Sequence, residues 1–303
     1  MAFNLQTFKT RTLTAIVFAV VMLLGLFINF KTYFLLFTII HFGCWLEYQK
    51  LMGCINASYK SISPLHKFGI MLGGFGFILF MLFKNYTLNN FIYQNIGLIL
   101  LLLLGFAIPV VDVLFNKKIS KKNLLQSLLG LLYISLSIGL IIDLYEVPLH
   151  KEASTTTIIG NGIVGIFTIA CMWVNDTMAY IVGSFIGKTP FSKISPKKTW
   201  EGTIGGIMLC IATMGLLMSD VIMPKYFSSE GIINTLKIHW YMIAAIAAIT
   251  GTIGDLLESK LKRLANVKDS GNFMPGHGGF LDRFDSLLIA TIFVWLYIKL
   301  LLQ

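Results

Sequence analysis

Charge is the scarcest commodity in this 303-residue chain. Asp, Glu, Lys and Arg together make up 13% of it, where ordinary soluble domains carry about 25%. That shortage excludes a conventional soluble protein, and the 56% share of hydrophobic residues shows what is needed instead: lipid as part of the solvent. Cysteine is sparse and unpatterned. Cys44, Cys54, Cys171 and Cys210 are scattered with no Cys-x-x-Cys pair, which excludes a zinc framework and a disulfide scaffold and leaves small, reduced core residues. The Gly-x4-Gly-Lys-Ser/Thr phosphate loop is missing, although Gly187-Lys188-Thr189 superficially matches its end. No cleavable signal peptide is expected, because the first apolar run, 13–30, is long for a signal core and lacks a small-residue cleavage site. No internal repeat of the kind that marks many transporters is visible either.

What is present is a series of apolar runs. A helix needs about 20 apolar residues to cross about 30 Å of hydrocarbon. Nine stretches qualify: 13–30, 33–51, 66–83, 95–115, 124–146, 162–186, 203–219, 240–258 and 284–302. Glu47 interrupts the second, and Gly69, Gly73, Gly74 and Gly76 interrupt the third; glycine is nevertheless common in membrane helices, where it permits close packing. The expected fold class is all-α, a polytopic integral membrane protein with about nine transmembrane helices. Basic residues orient it. With the N-terminus inside, six of the 24 Lys and Arg residues (Lys31, Lys84, Lys151, Lys225, Lys237 and Lys299) fall outside and the rest inside. That bias predicts an N-in, C-out topology. The net charge of +10 is read as membrane orientation plus attraction of anionic substrates. Nucleic acid is not expected as a partner, because the basic residues sit between apolar runs instead of on one soluble face.

The two halves differ. Residues 1–150 hold about five of the spans, mostly Leu, Ile and Phe with few polar residues inside them, and read as scaffold and lipid-facing surface. Residues 151–303 hold about four spans, and there acidic residues, glycines and short polar motifs crowd the cytoplasmic ends, in loops 187–202 and 259–283. Chemistry is expected in this second half.

Asp176 sits inside the sixth span, about 15 Å deep at 1.5 Å per residue, where a carboxylate costs about 2.5–3.5 kcal/mol. Such a group is expected to face a cavity or a partner. Asp176, Tyr180, Gly183 and Gly187 recur on one helical face, which also suits a packing seam with one internal hydrogen-bonding residue. The following loop carries Lys197, Lys198 and Glu201 before a glycine-rich helix. Lysines at a helix start hold phosphates by point charge and dipole, though positive-inside anchoring also accounts for lysines there. It does not account for Glu201.

The stretch 254–285 is denser. Asp255, Glu258 and Lys262 fall at i, i+3 and i+7 on one helix face. Arg263, Lys268-Asp269, the run Pro275-Gly276-His277-Gly278-Gly279 and Asp282-Arg283-Phe284-Asp285 follow. Moving a nucleotidyl group calls for such parts: carboxylates for a magnesium ion that keeps waters and substrate phosphates, cations for the remaining phosphate charge, and glycines for close backbone approach.

From Ser259 to Asp285 the sequence resembles the signature of the phosphatidate cytidylyltransferase (CDP-diacylglycerol synthase) family. That pattern is Ser, two residues to Lys-Arg, four more to Lys-Asp, then Pro-x-His-Gly-Gly and Asp-Arg-x-Asp. Met274 stands where the family usually shows Leu, Ile or Phe, a volume-conserving departure. The resemblance extends to Asn175-Asp176-Thr177, Tyr180, Gly183, Gly187-Lys188 and 195–202, so it covers about 160–303; the first half matches only as a set of spans.

The resemblance implies the reaction CTP + phosphatidate → CDP-diacylglycerol + diphosphate, with the phosphatidate oxygen attacking the α-phosphorus of CTP in line. It implies Mg²⁺ held by Asp255 and Asp282, with Asp285 as a further ligand, and a companion monovalent cation such as K⁺. Lys197, Lys198, Lys262, Arg263, Lys268 and Arg283 would hold phosphates; Gly278 and Gly279 would let the backbone close in; Asp269 and Glu201 would orient substrate; His277 would hydrogen-bond a phosphate or shuttle a proton; Asp176 would close the site from within the bilayer. Asp282, Asp255, Lys268, Arg283 and His277 are the expected catalytic set, and Asp282→Asn is expected to abolish activity with stability nearly intact. The enzyme would sit in the cell (inner) membrane with its site facing the cytoplasm. A homodimer is also implied, and Gly183-x3-Gly187 and Gly202-x3-Gly206 would suit it or packing within one chain. Two other readings compete: a CTP-dependent lipid kinase, distinguished by its products, and a transporter using Asp176 as an ion path.

Overall fold

The computed structural model of the protein describes residues 5–82, 90–115, 120–152, 155–160, 162–226, 230–274 and 278–302. Helices dominate: α1 (Leu5–Phe27), α2 (Phe30–Ile55), the single turn α3 (Ala57–Lys60), α4 (Pro64–Leu82), α5 (Asn90–Leu100), α6 (Ile108–Phe115), α7 (Lys121–Gly130), α8 (Ser137–Asp143), α9 (Ile163–Ile186), α10 (Trp200–Leu216), α11 (Met223–Tyr226), α12 (Glu230–Leu264) and α13 (Leu281–Leu301). Wider π-helical turns at Leu101–Ala107, Leu131–Leu136 and Leu217–Ile222 carry α5 into α6, α7 into α8 and α10 into α11. Two short strands, β1 (Val147–Glu152) and β2 (Thr155–Ile159), pair with each other, an element that the apolar pattern does not announce.

Caps mark the helix starts. Asn29 accepts a bond from Thr32 N (3.0 Å) while Thr32 Oγ1 accepts one from Asn29 N (3.2 Å), closing a reciprocal box before α2. Ser120 caps α7 by accepting from Asn123 N, and Thr199 caps α10 by accepting from Gly202 N. Among the described residues six helices are long and apolar enough to cross a membrane: Pro64–Met81, Lys121–Asp143, Ile163–Ile186, Trp200–Lys225, Ile233–Leu264 and Leu281–Leu301. Shorter apolar helices cover Thr12–Phe27 and Asn95–Val111. The chain is therefore a helical, multi-pass membrane protein. The eighth stretch is much longer than its apolar run: α12 has 35 residues, ~52 Å of helix at 1.5 Å per residue. It continues through Asp255 and Glu258 and ends on Lys262 and Arg263, cations that suit a helix C-terminus.

Two compact units make up the chain. The first comprises Met1–Val147, Ile158–Ile163 and Leu261–Phe284. Its centre is α2, whose Tyr33, Phe37, Trp45 and Tyr48 are buried. These side chains are not purely apolar in their contacts: Tyr33 donates to the Ile141 carbonyl (3.0 Å), Trp45 Nε1 to Ser135 Oγ (2.8 Å) and Tyr48 to the Gln126 carbonyl (2.7 Å). The first half is thus knitted by internal polar contacts, not only by lipid-facing apolar surface. The glycines of α4 are crossing points: a methyl group on Gly73 would overlap the Gly105 backbone, and one on Gly76 would meet Leu100 and Leu101. The run of glycines that weakens the third stretch as an apolar signal is what lets it pack.

The second unit comprises Pro148–Thr157, Val164–Lys260 and Asp285–Gln303. Here Gly183 and Gly202 face each other on α9 and α10, Gly206 lies against Ala179, and Gly254 of α12 lies against the Asp285 backbone of α13. Both small-residue motifs are used for packing within this chain.

Candidate active site

In the first unit the signature folds around one carboxylate. The chain leaves α12 through Asn266, in the left-handed region at φ 54°, with Val267 N donating back to the Lys262 carbonyl (3.0 Å); asparagine tolerates that conformation better than most residues. The turn leads to Ser270, which is buried. Gly278, at φ 89°, and Gly279 then lead into α13, and Asp282 lies in its first turn. Asp282 Oδ1 takes the Lys262 ammonium at 2.7 Å. Its Oδ2 accepts from Ser270 N, the Ser270 hydroxyl and Gly279 N, each at 2.8 Å. The pair is shielded, with Lys262 and Asp282 side chains 15% and 8% exposed, so these bonds act at a lower effective dielectric than surface ones.

Behind this cage lies Glu47 of α2, buried at 8% exposure. Its Oε1 accepts from Phe280 N (2.9 Å), and its Oε2 from Leu281 N and the Ser270 hydroxyl (both 2.8 Å). Phe280 and Leu281 supply amides at the start of α13, groups that a helix leaves without internal partners and that favour a negative charge. A buried carboxylate is costly unless its oxygens are satisfied, and here three donors converge on it. Ser270 stands 2.8 Å from both a Glu47 and an Asp282 oxygen, so one hydroxyl links the two acids. Methyl groups at Gly271 or Gly279 would overlap the Glu47 carboxylate, which is why the backbone can wrap it.

In the second unit the polar groups are more open. Lys198 forms an ion pair with Asp255, with side chains 30% and 25% exposed. The loop bearing Lys198 is folded back on itself: Phe191 N donates to the Lys198 carbonyl (2.8 Å) and Trp200 N to the Thr189 carbonyl (2.9 Å). Glu201 completes the fold, accepting from Lys188 N and Thr189 N (both 3.1 Å). On α9, Asn175 is buried and donates to Thr252 Oγ1 at 3.4 Å.

Residues 9–301 match the model of the cytidylyltransferase family. The chain belongs to that family. Similar proteins include one named phosphatidate cytidylyltransferase in Synechocystis, 39% identical over 46% of this chain and 44% of its own length. Proteins of the same name in Rickettsia bellii and Bacillus subtilis are 34% and 39% identical, over 56% and 44% of this chain and 67% and 46% of their own lengths. The matched stretches thus span under half of the Synechocystis and Bacillus proteins.

Set against the family signature, the structure brings together Lys262, Gly278, Gly279 and Asp282 in one unit and Lys198 with Asp255 in the other. Glu201 braces its loop instead of pointing at these acids. Lys197, Arg263, Lys268, Asp269 and Arg283 are exposed, as is Asp176 on α9. Asp285 is buried and accepts from Ser286 N at 2.6 Å. His277 lies outside the described residues. Glu47 and Ser270 were not among the expected site residues. Glu47 carried a signal: a carboxylate inside an apolar run is expensive and by default marks a site. Ser270 sits between two signature blocks with nothing in its spacing to single it out.

The donors bear on whether magnesium suits these residues. Among the described residues no group of three or more His, Cys, Asp or Glu converges as a metal cage. Magnesium asks for less, commonly one or two carboxylates with waters and substrate phosphates completing its shell. Taken within its own unit, each of Asp255 and Asp282 offers hard oxygens of that kind, and each already faces one cationic ammonium. On Asp282 a cation would take the Oδ1 side from Lys262, since Oδ2 already holds three donors.

Proposed function

We propose that the chain is a CDP-diacylglycerol synthase that transfers the cytidylyl group of CTP to phosphatidate and releases diphosphate. The observation that carries this reading is the cage around Asp282, assembled from the signature's own Lys262, Gly279 and Asp282 in a chain that belongs to the cytidylyltransferase family. Attack by a phosphatidate oxygen on the α-phosphorus needs no covalent enzyme intermediate, so catalysis is positioning plus charge neutralisation. Lys262 and Lys198, each held on a carboxylate, are poised to exchange that partner for phosphate oxygens; the exposed cations Lys197, Arg263, Lys268 and Arg283 are proposed to hold the same anions. Asp255, Asp282 and Asp285 are each proposed as holders of Mg²⁺, which when bound supplies the positive charge that the phosphates need, with K⁺ as its companion. Asp269 and Asp176 are proposed to orient substrate, as is His277.

The same reading includes nine spans with the N-terminus inside, a cytoplasmic-facing site in the inner membrane and a homodimer. The lysine and arginine bias supports the orientation. The dimer rests on the family resemblance, since the glycines of α9 and α10 already pack within the chain.

The decisive experiment supplies purified protein in detergent with phosphatidate, Mg²⁺ and CTP labelled at the α-phosphate. Label is expected to enter the lipid fraction with release of diphosphate, and EDTA to stop it. Lipid labelled only from γ-labelled CTP would instead identify a lipid kinase.

A further inference from the structure

Outside the signature, the first unit holds a buried acid, Glu47, bonded to groups 223 to 234 residues away in the chain. It touches neither Lys262 nor Asp282 by any bond described above. It holds the groups that hold Asp282: the Ser270 hydroxyl lies 2.8 Å from an oxygen of each acid, its one proton shared between them, and Gly279, whose amide donates to Asp282, lies against the Glu47 carboxylate. The next two amides along, Phe280 N and Leu281 N, end on Glu47. We infer that Glu47 is a positioning residue for the cytidylyl-transfer site, fixing the 270–271 and 279–281 backbone around it so that Asp282 and Lys262 present a set geometry to the substrate phosphates. This rests on the synthase reading for its activity test, though not for its structural one.

The chemistry of the three donors makes the proposal specific. Both Glu47 oxygens must act as acceptors, because every partner is an N–H or an O–H. Glutamine has the same shape but turns one acceptor into a donor, so that an NH₂ meets an N–H or O–H. Aspartate keeps two acceptors on a stem one methylene shorter. Shape alone would rank glutamine as the milder change; acceptor chemistry ranks aspartate as the milder.

The test measures steady-state kinetics of Glu47→Gln, Glu47→Asp and Ser270→Ala, each normalised to folded protein by size-exclusion profile and thermal melt in detergent. A misplacement of about 1 Å costs on the order of 100-fold in rate. Glu47→Gln is therefore expected to lower kcat by about 100-fold, with KM for CTP changed by less than about 3-fold because the exposed cations still bind it. Glu47→Asp is expected to recover about 10-fold of that loss, and Ser270→Ala, which leaves both amide bonds to Glu47, to lose about 10-fold. A purely structural role would instead reduce the yield of folded protein and leave kcat per folded molecule unchanged. Folded Glu47→Gln with kcat within about twofold of wild type overturns the proposal, and if that variant does not fold, Ser270→Ala decides by the same criterion. Should the wild type transfer no label from CTP, the synthase reading fails, and hydrogen exchange across 278–282 still judges Glu47. Exchange there at least about tenfold faster in Glu47→Gln supports the positioning role, and unchanged exchange refutes it.

Discussion

Asp282 and Asp255 are both acids of the second half of the chain facing a lysine, yet they are held in opposite ways. Asp282 is 8% exposed and receives an ammonium, two backbone amides and the hydroxyl it shares with Glu47. Asp255 is 25% exposed and meets Lys198, itself 30% exposed on a loop. A carboxylate caged by backbone N–H groups cannot turn without breaking them, whereas one held by a long flexible lysine exchanges partners at little cost. The first suits a fixed reference point for substrate; the second suits a group that rearranges when a phosphate or a cation arrives.

The largest effect expected from that contrast is at Asp282. Asp282→Asn should reduce label transfer into lipid by about 1,000-fold or more. The cage replaces the sequence-based expectation that stability stays nearly intact: loss of the shielded pair with Lys262 should cost about 3 kcal/mol of stability, visible as a clear drop in the detergent melting temperature. A variant that melts with the wild type would break the comparison, because the donors around Oδ2 would then contribute nothing. Asp255→Asn should lower activity by about 100-fold but shift stability by no more than about 1 kcal/mol, as expected for a partly exposed pair. Equal melting losses for the two variants would erase the distinction. The smallest effect should come from Glu201→Gln, which weakens one of the acceptors for the Lys188 and Thr189 amides. The loop bearing Lys197 and Lys198 should loosen, raising KM for CTP by about 5-fold with kcat within about twofold. A kcat collapse would instead put Glu201 in contact with the reacting groups.

Much of the fold was legible because membrane helices announce themselves locally. Each of the nine apolar stretches is helical through its middle, with 28–29, 144–146, 162 and 302 at the ends lying outside the helices; a backbone in hydrocarbon must satisfy its own hydrogen bonds. The length of α12 was legible in part: the spacing of Asp255, Glu258 and Lys262 carried the helix past its apolar run, whereas its start at Glu230, ten residues before the expected stretch, was not legible. Nor were the polar contacts of the first half, where Tyr33, Trp45 and Tyr48 read as apolar bulk but spend their N–H and O–H groups on α7, α8 and the turn joining them. At the site, Lys262, Gly279, Asp282, Lys198 and Asp255 were all singled out by the signature or by charge, but which lysine each acid meets was not readable. The bracing role of Glu201 was not, because it depends on a loop folding back onto a helix start.

Composition and periodicity by themselves determined that this is a helical membrane protein, and the signature pointed to the family to which the chain belongs. Both are local properties, set by apolar run length and by residues a few positions apart. Tertiary structure alone decided that Glu47, an apparent blemish in a scaffold helix, receives the Ser270 hydroxyl and the first amides of α13. Donors and acceptors separated by more than two hundred residues leave no periodic trace, and only packing that brings two backbones within hydrogen-bond reach makes them partners.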